Sequence, residues 1–181
     1  VLEYGINTPS KDSIVDKKQF YLNNNLDNSI FLIGVFSRIE EQKGQHLVLN
    51  AISQSKHEIQ LCIIGHSMDD KYKQRLQSDA LSLNIHNHVH FIDFIDSPMS
   101  YMPCFDLIIL PTYEETFGLI VAEAMMMEVP VIGSNAGGVP EIINHQENGL
   151  LFESKNIADL RKKIDFGLLV TAKSGSDDLS T

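Results

Sequence analysis

Five short, predominantly apolar runs punctuate the chain, at 30–36, 59–65, 89–95, 106–112 and 129–134. They are continuous rather than alternating and rich in β-branched side chains, which predicts strands covered on both faces of a parallel sheet. Shorter runs at 1–6 and 149–153 extend this set. Between the runs lie stretches with helical spacing. Residues 45–53 carry apolar side chains at Leu47, Leu49, Ala51 and Ile52, and residues 70–83 are charged with a sparse apolar stripe. Residues 119–127 are apolar nearly all round, the mark of a buried helix. Residues 139–144 and 157–166 complete the helices. The polar, Asn-rich stretch 12–28 predicts a helix followed by a surface turn, and 172–181, with only Ala172 and Leu179 apolar, predicts a disordered tail. Alternating strands and helices of this size imply βαβ units and an α/β, Rossmann-like doubly wound parallel sheet of about six strands. Ligands of such sheets bind outside the carboxyl ends of the strands, near helix N-termini.

A length of 181 residues suits one domain with a sizeable core. The formal net charge of −10 argues against nucleic acid or a general anionic membrane surface as partner, since both need a basic field. A phosphate ligand stays open, because two or three local cations suffice. Cys62 and Cys104 sit in apolar runs without metal-ligand spacing, as expected of buried reduced thiols in a cytoplasmic protein. No apolar run approaches the roughly 18 residues of a membrane span, and the N-terminus lacks the form of a signal peptide. Val1 is not an initiator methionine, so the chain is expected to be a piece of something longer.

The most informative stretch is 111–125, Pro-Thr-Tyr-Glu-Glu-Thr-Phe-Gly-Leu-Ile-Val-Ala-Glu-Ala-Met. A strand ends near Thr112, a loop carries Glu114 and Glu115, and a helix starts near Gly118. The first amides of that helix have no intrahelical partner and, with the helix dipole, favour a phosphate or a polarised sugar oxygen. Glu123 falls about one turn inside, among apolar neighbours, where an unpaired carboxylate costs several kcal/mol. A ribose diol would satisfy it with two hydroxyl donors; a buried salt bridge would do so equally well. Glu115 by itself reads as a sugar ligand or as a helix cap.

A second constellation follows the first strong strand: Arg38 and, five residues on, Lys43-Gly44. Two cations over one strand-to-helix loop can grip a diphosphate, Arg as a planar fork and Lys as a point charge, and stabilise charge on a departing nucleotide. Solvated charges, or pairs with Glu40 and Glu41, are the competing reading. In a third stretch, 133–141, Gly137-Gly138 permits a tight turn before Pro140, whether as a turn alone or as a ligand contact. There is no dinucleotide fingerprint and no P-loop. No Asp-x-Asp marks a metal-bound diphosphate, and the seven histidines form no zinc pattern.

Together these stretches resemble the C-terminal, donor-binding domain of the retaining GT-B glycosyltransferases of the group 1 family, glycosyltransferase family 4. The resemblance rests on Glu115-x7-Glu123 with Phe117-Gly118 between, Arg38-x4-Lys43-Gly44, Gly137-Gly138-x2-Glu141, and Asn148-Gly149-Leu150-Leu151. It covers roughly residues 1–166 and implies a donor domain over 1–171, one half of a GT-B fold. It implies that Glu123 binds the ribose and that Arg38 with Lys43 holds the diphosphate. Glu115 would contact the transferred sugar, aided by Thr116 and the amides of Phe117, Gly118 and Leu119. The base would lie near His66 and Ile92. The donor would be a nucleoside-diphosphate sugar, with no cofactor and no metal, and the configuration would be retained by attack on the face the nucleotide leaves. The acceptor, a glycan or lipid-linked, would bind the N-terminal domain absent from this chain. The complete protein is then expected in the cytoplasm or at the inner face of the membrane, in cell-surface polysaccharide or glycolipid synthesis.

Three positions depart from the pattern. Glu128 stands where a glycine usually ends the helix, and Ser67 and Asp93 replace glycines near the base pocket. A glutamate in the left-handed region costs on the order of 1 kcal/mol, so this helix is expected to end differently. A nucleotide-sugar epimerase of the same architecture and a non-catalytic nucleotide-binding module are the alternatives.

Overall fold

The computed structural model describes residues 8–177. Six parallel strands, β1 (Phe31–Phe36), β2 (Ile59–Ile64), β3 (Val89–Ile92), β4 (Leu107–Leu110), β5 (Val131–Ser134) and β6 (Leu150–Phe152), form one sheet in the order β3-β2-β1-β4-β5-β6. Each predicted run from 30 to 153 supplies one of them. The strand predicted at 1–6 lies outside the described residues. The helices are α1 (Lys17–Asn23), α2 (Gln45–Ser53), α3 (Asp70–Ser82), α4 (Pro98–Tyr101), α5 (Leu119–Met126), α6 (Val139–Ile142) and α7 (Ile157–Asp177).

The strands read as unbroken apolar runs because both faces are covered. On one face, Ile33 and Val35 of β1 join Leu61 and Ile63 of β2 beneath Leu47 and Val48 of α2, Leu76 of α3, and Leu160 and Ile164 of α7. On the other, Leu32 and Phe36 meet Phe20 of α1, Met99 of α4, Val121 and Ala124 of α5, and Val139 of α6. Cys62 and Cys104 are free and buried there, and burial pushes the Cys104 thiol up to about 11. A two-sided core of this kind, at ~25 cal/mol per Å² of apolar area removed from water, is what holds the sheet.

Three expectations need correction. Helix α7 runs on through Asp177, so 172–177, expected as part of a disordered tail, is helical. The short helix α4, continued by a 3-10 turn at Met102–Cys104, stands where no helix was expected. It is one turn begun by Pro98, too short to show a periodic stripe. Helix α5 ends in the ordinary way in spite of Glu128. That residue itself takes the left-handed conformation, φ 59°, while Glu128 N–H donates to the Met125 carbonyl at 3.0 Å and Val129 N–H to the Ala124 carbonyl at 3.0 Å. These two bonds are the paired closure of a glycine-type helix end, so the fold retains the geometry and carries the strain.

From β1 the chain steps outward through β2 to β3, then returns to place β4 on the opposite side of β1. The strand order reverses between β1 and β4. At that point the loops leaving the two carboxyl ends diverge and open a crevice. Residues 37–44 form one wall and 111–118 the other.

Candidate functional site

Both walls are held by backbone close contacts. Gly44, φ 70°, ends the short 3-10 turn Glu41–Lys43 and begins α2; a Cβ there would lie 2.2 Å from the Pro111 carbonyl oxygen. Tyr113 N–H donates to the Gln42 carbonyl at 2.9 Å, tying the second wall to the first. Gly137 and Gly138 act from behind: Gly138 N–H donates to the Glu115 carbonyl at 2.8 Å, and a Cβ on Gly137 would meet that oxygen at 2.0 Å. The glycine pair therefore holds the loop that carries Glu115.

This framework brings Arg38, Lys43 and Glu115 to one cleft of about 250 Å³, which Phe117, Gly118 and Leu119 also line. Lys43 Nζ lies 3.1 Å from Glu115 Oε2, with the two side chains 16% and 21% exposed. Arg38, more open to solvent, pairs with Glu40 at 2.9 Å. Of the pairs anticipated with Glu40 and Glu41, that one forms; Glu41 turns away to Arg75 at 3.0 Å. Gln45, fully buried, donates to the Arg38 carbonyl at 2.8 Å and to Ser37 Oγ at 3.0 Å, which fixes the backbone from which Arg38 projects. Gly118, φ 63°, opens α5 with no side-chain cap. Its first amides are thus free of a capping side chain, as an anion site requires. Thr116 is exposed, its N–H 3.2 Å from Glu115 Oε1.

Glu123 lies one turn further along α5, on the side of Leu119 and Ile120. Its Oε2 is buried and has no hydrogen-bond partner among the described residues. Burial raises its carboxyl above the ordinary value. Among the described residues, the salt bridge that competed with the ribose reading is not formed. A desolvated, unpartnered carboxylate oxygen costs the fold free energy, and is what a diol donor would satisfy.

A second, mostly apolar pocket of about 390 Å³ adjoins the first across Phe36, Ser37, Arg38 and Ile120. His66 lines it, with Gly65, Met68, Phe94, Ile95 and Pro98. Ile92 does not: its carbonyl accepts the Gly65 amide at 3.1 Å, and its side chain packs against the core beside α1. Phe94, 65% exposed, and Ile95 take that place. Sequence reasoning passed over Ser37, Phe94 and Ile120. An exposed aromatic just past a strand's carboxyl end was the available signal. Asp93 is exposed, and Ser67 forms an isolated parallel bridge with Ile39. No group of His, Cys, Asp and Glu with metal-holding geometry occurs among the described residues.

The model of the family described as "Glycosyl transferases group 1" matches residues 16–170. The chain belongs to that family. It is 30% identical over 150 residues to the O-antigen biosynthesis glycosyltransferase WclY of Escherichia coli, an alignment covering 82% of this chain and 41% of that protein. It is 29% identical over 164 residues to the capsular polysaccharide biosynthesis glycosyltransferase CapM of Staphylococcus aureus, with the same coverage, 82% and 41%. The fold superposes on Anabaena HepE, solved in complex with UDP-glucose, with a TM-score of 0.82 at 26% identity over 92% of this chain and 45% of that one. The C-terminal domain of a group 1 protein, LpcC of Francisella tularensis, matches at TM-score 0.73 and 27% identity, covering 88% of this chain and 83% of that domain. The chain thus spans less than half of the full-length relatives and most of a group 1 C-terminal domain. No helix among the described residues is long and apolar enough to cross a membrane.

Proposed function

We propose that this chain is the donor-binding half of a retaining, metal-independent glycosyltransferase that moves a sugar from a nucleoside-diphosphate sugar to a glycan or lipid-linked acceptor. The observation that carries the reading is the buried, unpartnered Oε2 of Glu123, one turn into the helix whose uncapped N-terminus lines the cleft with Arg38 and Lys43, although Glu123 itself lies outside that lining. In this arrangement the base enters the apolar pocket beside His66 and Phe94, and the ribose diol donates to Glu123. Arg38 and Lys43, with the first amides of α5, hold the diphosphate and stabilise the charge that develops on it as the sugar–oxygen bond breaks. Glu115, Thr116 and the amides of Phe117 and Leu119 face the transferred sugar. The acceptor enters on the same face as the departing nucleotide, so the configuration is kept. The relatives named for O-antigen and capsular polysaccharide biosynthesis support cell-surface polysaccharide or glycolipid synthesis as the setting. The acceptor-binding half is supplied from outside this chain, so the chain alone binds donor and transfers little.

Calorimetry with UDP, GDP and ADP and their glucose esters tests this. Glu123→Ala is expected to weaken the matching sugar nucleotide at least tenfold, about 1.4 kcal/mol. Arg38→Ala should weaken the nucleoside diphosphate much more than the bare nucleoside. Wild-type affinity in Glu123→Ala would remove the ribose assignment.

A further inference from the structure

His46 is a half-buried histidine in the first turn of α2, absent from the linings of both pockets. Its Nδ1 lies 2.9 Å from the Tyr72 hydroxyl on α3, and its Nε2 lies 2.6 Å from the Tyr113 hydroxyl on the loop after β4. The protons can be placed. The main-chain N–H of His46 points to the Tyr72 oxygen at 3.4 Å, and Tyr72 is 4% exposed, so its own hydroxyl proton needs an acceptor. Nδ1 is that acceptor. Nε2 then carries the ring proton and donates it to Tyr113. Burial, with Arg75 nearby, keeps the imidazole pKa below its ordinary value and so keeps the ring neutral, as this arrangement requires. The Tyr113 ring is further confined by Lys155, whose Nζ lies 4.6 Å from its centroid.

Tyr113 is two residues before Glu115, and Gln42, which receives the Tyr113 amide, is one residue before Lys43. The His46 ring therefore bolts the wall carrying Glu115 to the helix that follows Lys43, from behind and out of reach of a ligand. From this geometry we infer that His46, through Tyr113, is a positioning residue that fixes Glu115 against the transferred sugar while leaving the grip on the diphosphate to Arg38 and Lys43. This rests on the donor-site reading above.

The test compares two ligand affinities and two ligand-free signals in the whole chain. Tyr113→Phe removes the acceptor of the Nε2–H bond. His46→Asn keeps only the Nδ1-side contact to Tyr72, and His46→Gln keeps only the Nε2-side donor to Tyr113. Tyr113→Phe and His46→Asn are expected to cut the affinity for UDP-glucose three- to tenfold while changing that for UDP less than twofold. His46→Gln should restore the wild-type ratio, and Tyr72→Phe should leave it unchanged. Equal effects of His46→Asn and His46→Gln, or equal losses for UDP and UDP-glucose, would overturn the proposal, since packing alone predicts both. NMR of the ligand-free chain supplies the independent arm: nitrogen spectra are expected to place the ring proton on Nε2, and carbon spectra to show the Glu115 carboxyl resonance moving in Tyr113→Phe. A proton on Nδ1, or an unmoved Glu115, overturns the positioning role whatever binds. Intact NMR signatures with no nucleotide bound would instead refute the donor site, and with it the ligand role assigned to Glu115.

Discussion

Replacing Glu128 with glycine is expected to stabilise the fold. The residue is exposed, so no packing is lost, and its φ of 59° belongs to the left-handed region. An L-residue there costs roughly 1–2 kcal/mol, which glycine does not incur. Against this stands the greater backbone freedom that glycine loses on folding, about 0.5–1 kcal/mol. The carboxylate also sits beside the negative end of α5, where removing it gains about 0.3 kcal/mol at low salt. The sum is a net gain of about 1 kcal/mol. For a domain of this length that raises Tm by about 2–4 °C. Urea denaturation of wild type, Glu128→Ala and Glu128→Gly separates the contributions. Alanine removes the charge but keeps the backbone strain, so it should gain only a few tenths of a kcal/mol and lose that gain in high salt. The glycine variant should keep its advantage at any ionic strength. If Glu128→Gly were no more stable than Glu128→Ala, the helix end would carry no strain and the argument would fail.

Two further outcomes follow from the cleft. Because burial raises the Glu123 carboxyl above its ordinary value, the folded protein holds that proton more tightly than the unfolded chain. The group therefore costs stability at neutral pH, and that cost disappears as pH falls from the raised folded value through the ordinary carboxylate range. Glu123→Gln should raise Tm at pH 7, flatten this part of the stability–pH curve and abolish tight donor binding; parallel curves for variant and wild type would refute it. Gly137→Ala drives a Cβ into the Glu115 carbonyl at 2.0 Å and strains a φ of 56°. It should cost about 2 kcal/mol or more in denaturant melts and displace the Glu115 loop, weakening UDP-glucose more than UDP. A variant with wild-type stability would show that the glycine pair does not hold that loop.

Much of this protein is legible in its sequence. The apolar runs mark the strands within a few residues because a strand buried on both faces admits few polar side chains, such as Gln60, which is bonded to the Asp27 backbone, and that constraint is local. Helix α5 is visible for the same reason, and Glu123 stands out as the one charge inside it. Arg38, Lys43 and Glu115 are legible as candidates from their places after strand ends. What the sequence leaves open is which groups are already satisfied. Only the tertiary structure decides that Lys43 pairs with Glu115, 72 residues away, instead of Glu40 or Glu41. Only there does Glu123 Oε2 prove to lack a partner among the described residues, and the Gly137-Gly138 turn prove to support a loop. Ile92 and Phe94 lie two residues apart in one short stretch, yet only Phe94, past the end of β3, lines the pocket. His46, Tyr72 and Tyr113 are the extreme case. Each is unremarkable in its own segment, and the bracket they form exists because α2, α3 and the loop after β4 meet at one corner of the sheet. Burial patterns are written along the chain, whereas hydrogen-bond and charge partners are chosen by whatever the fold brings within about 3 Å.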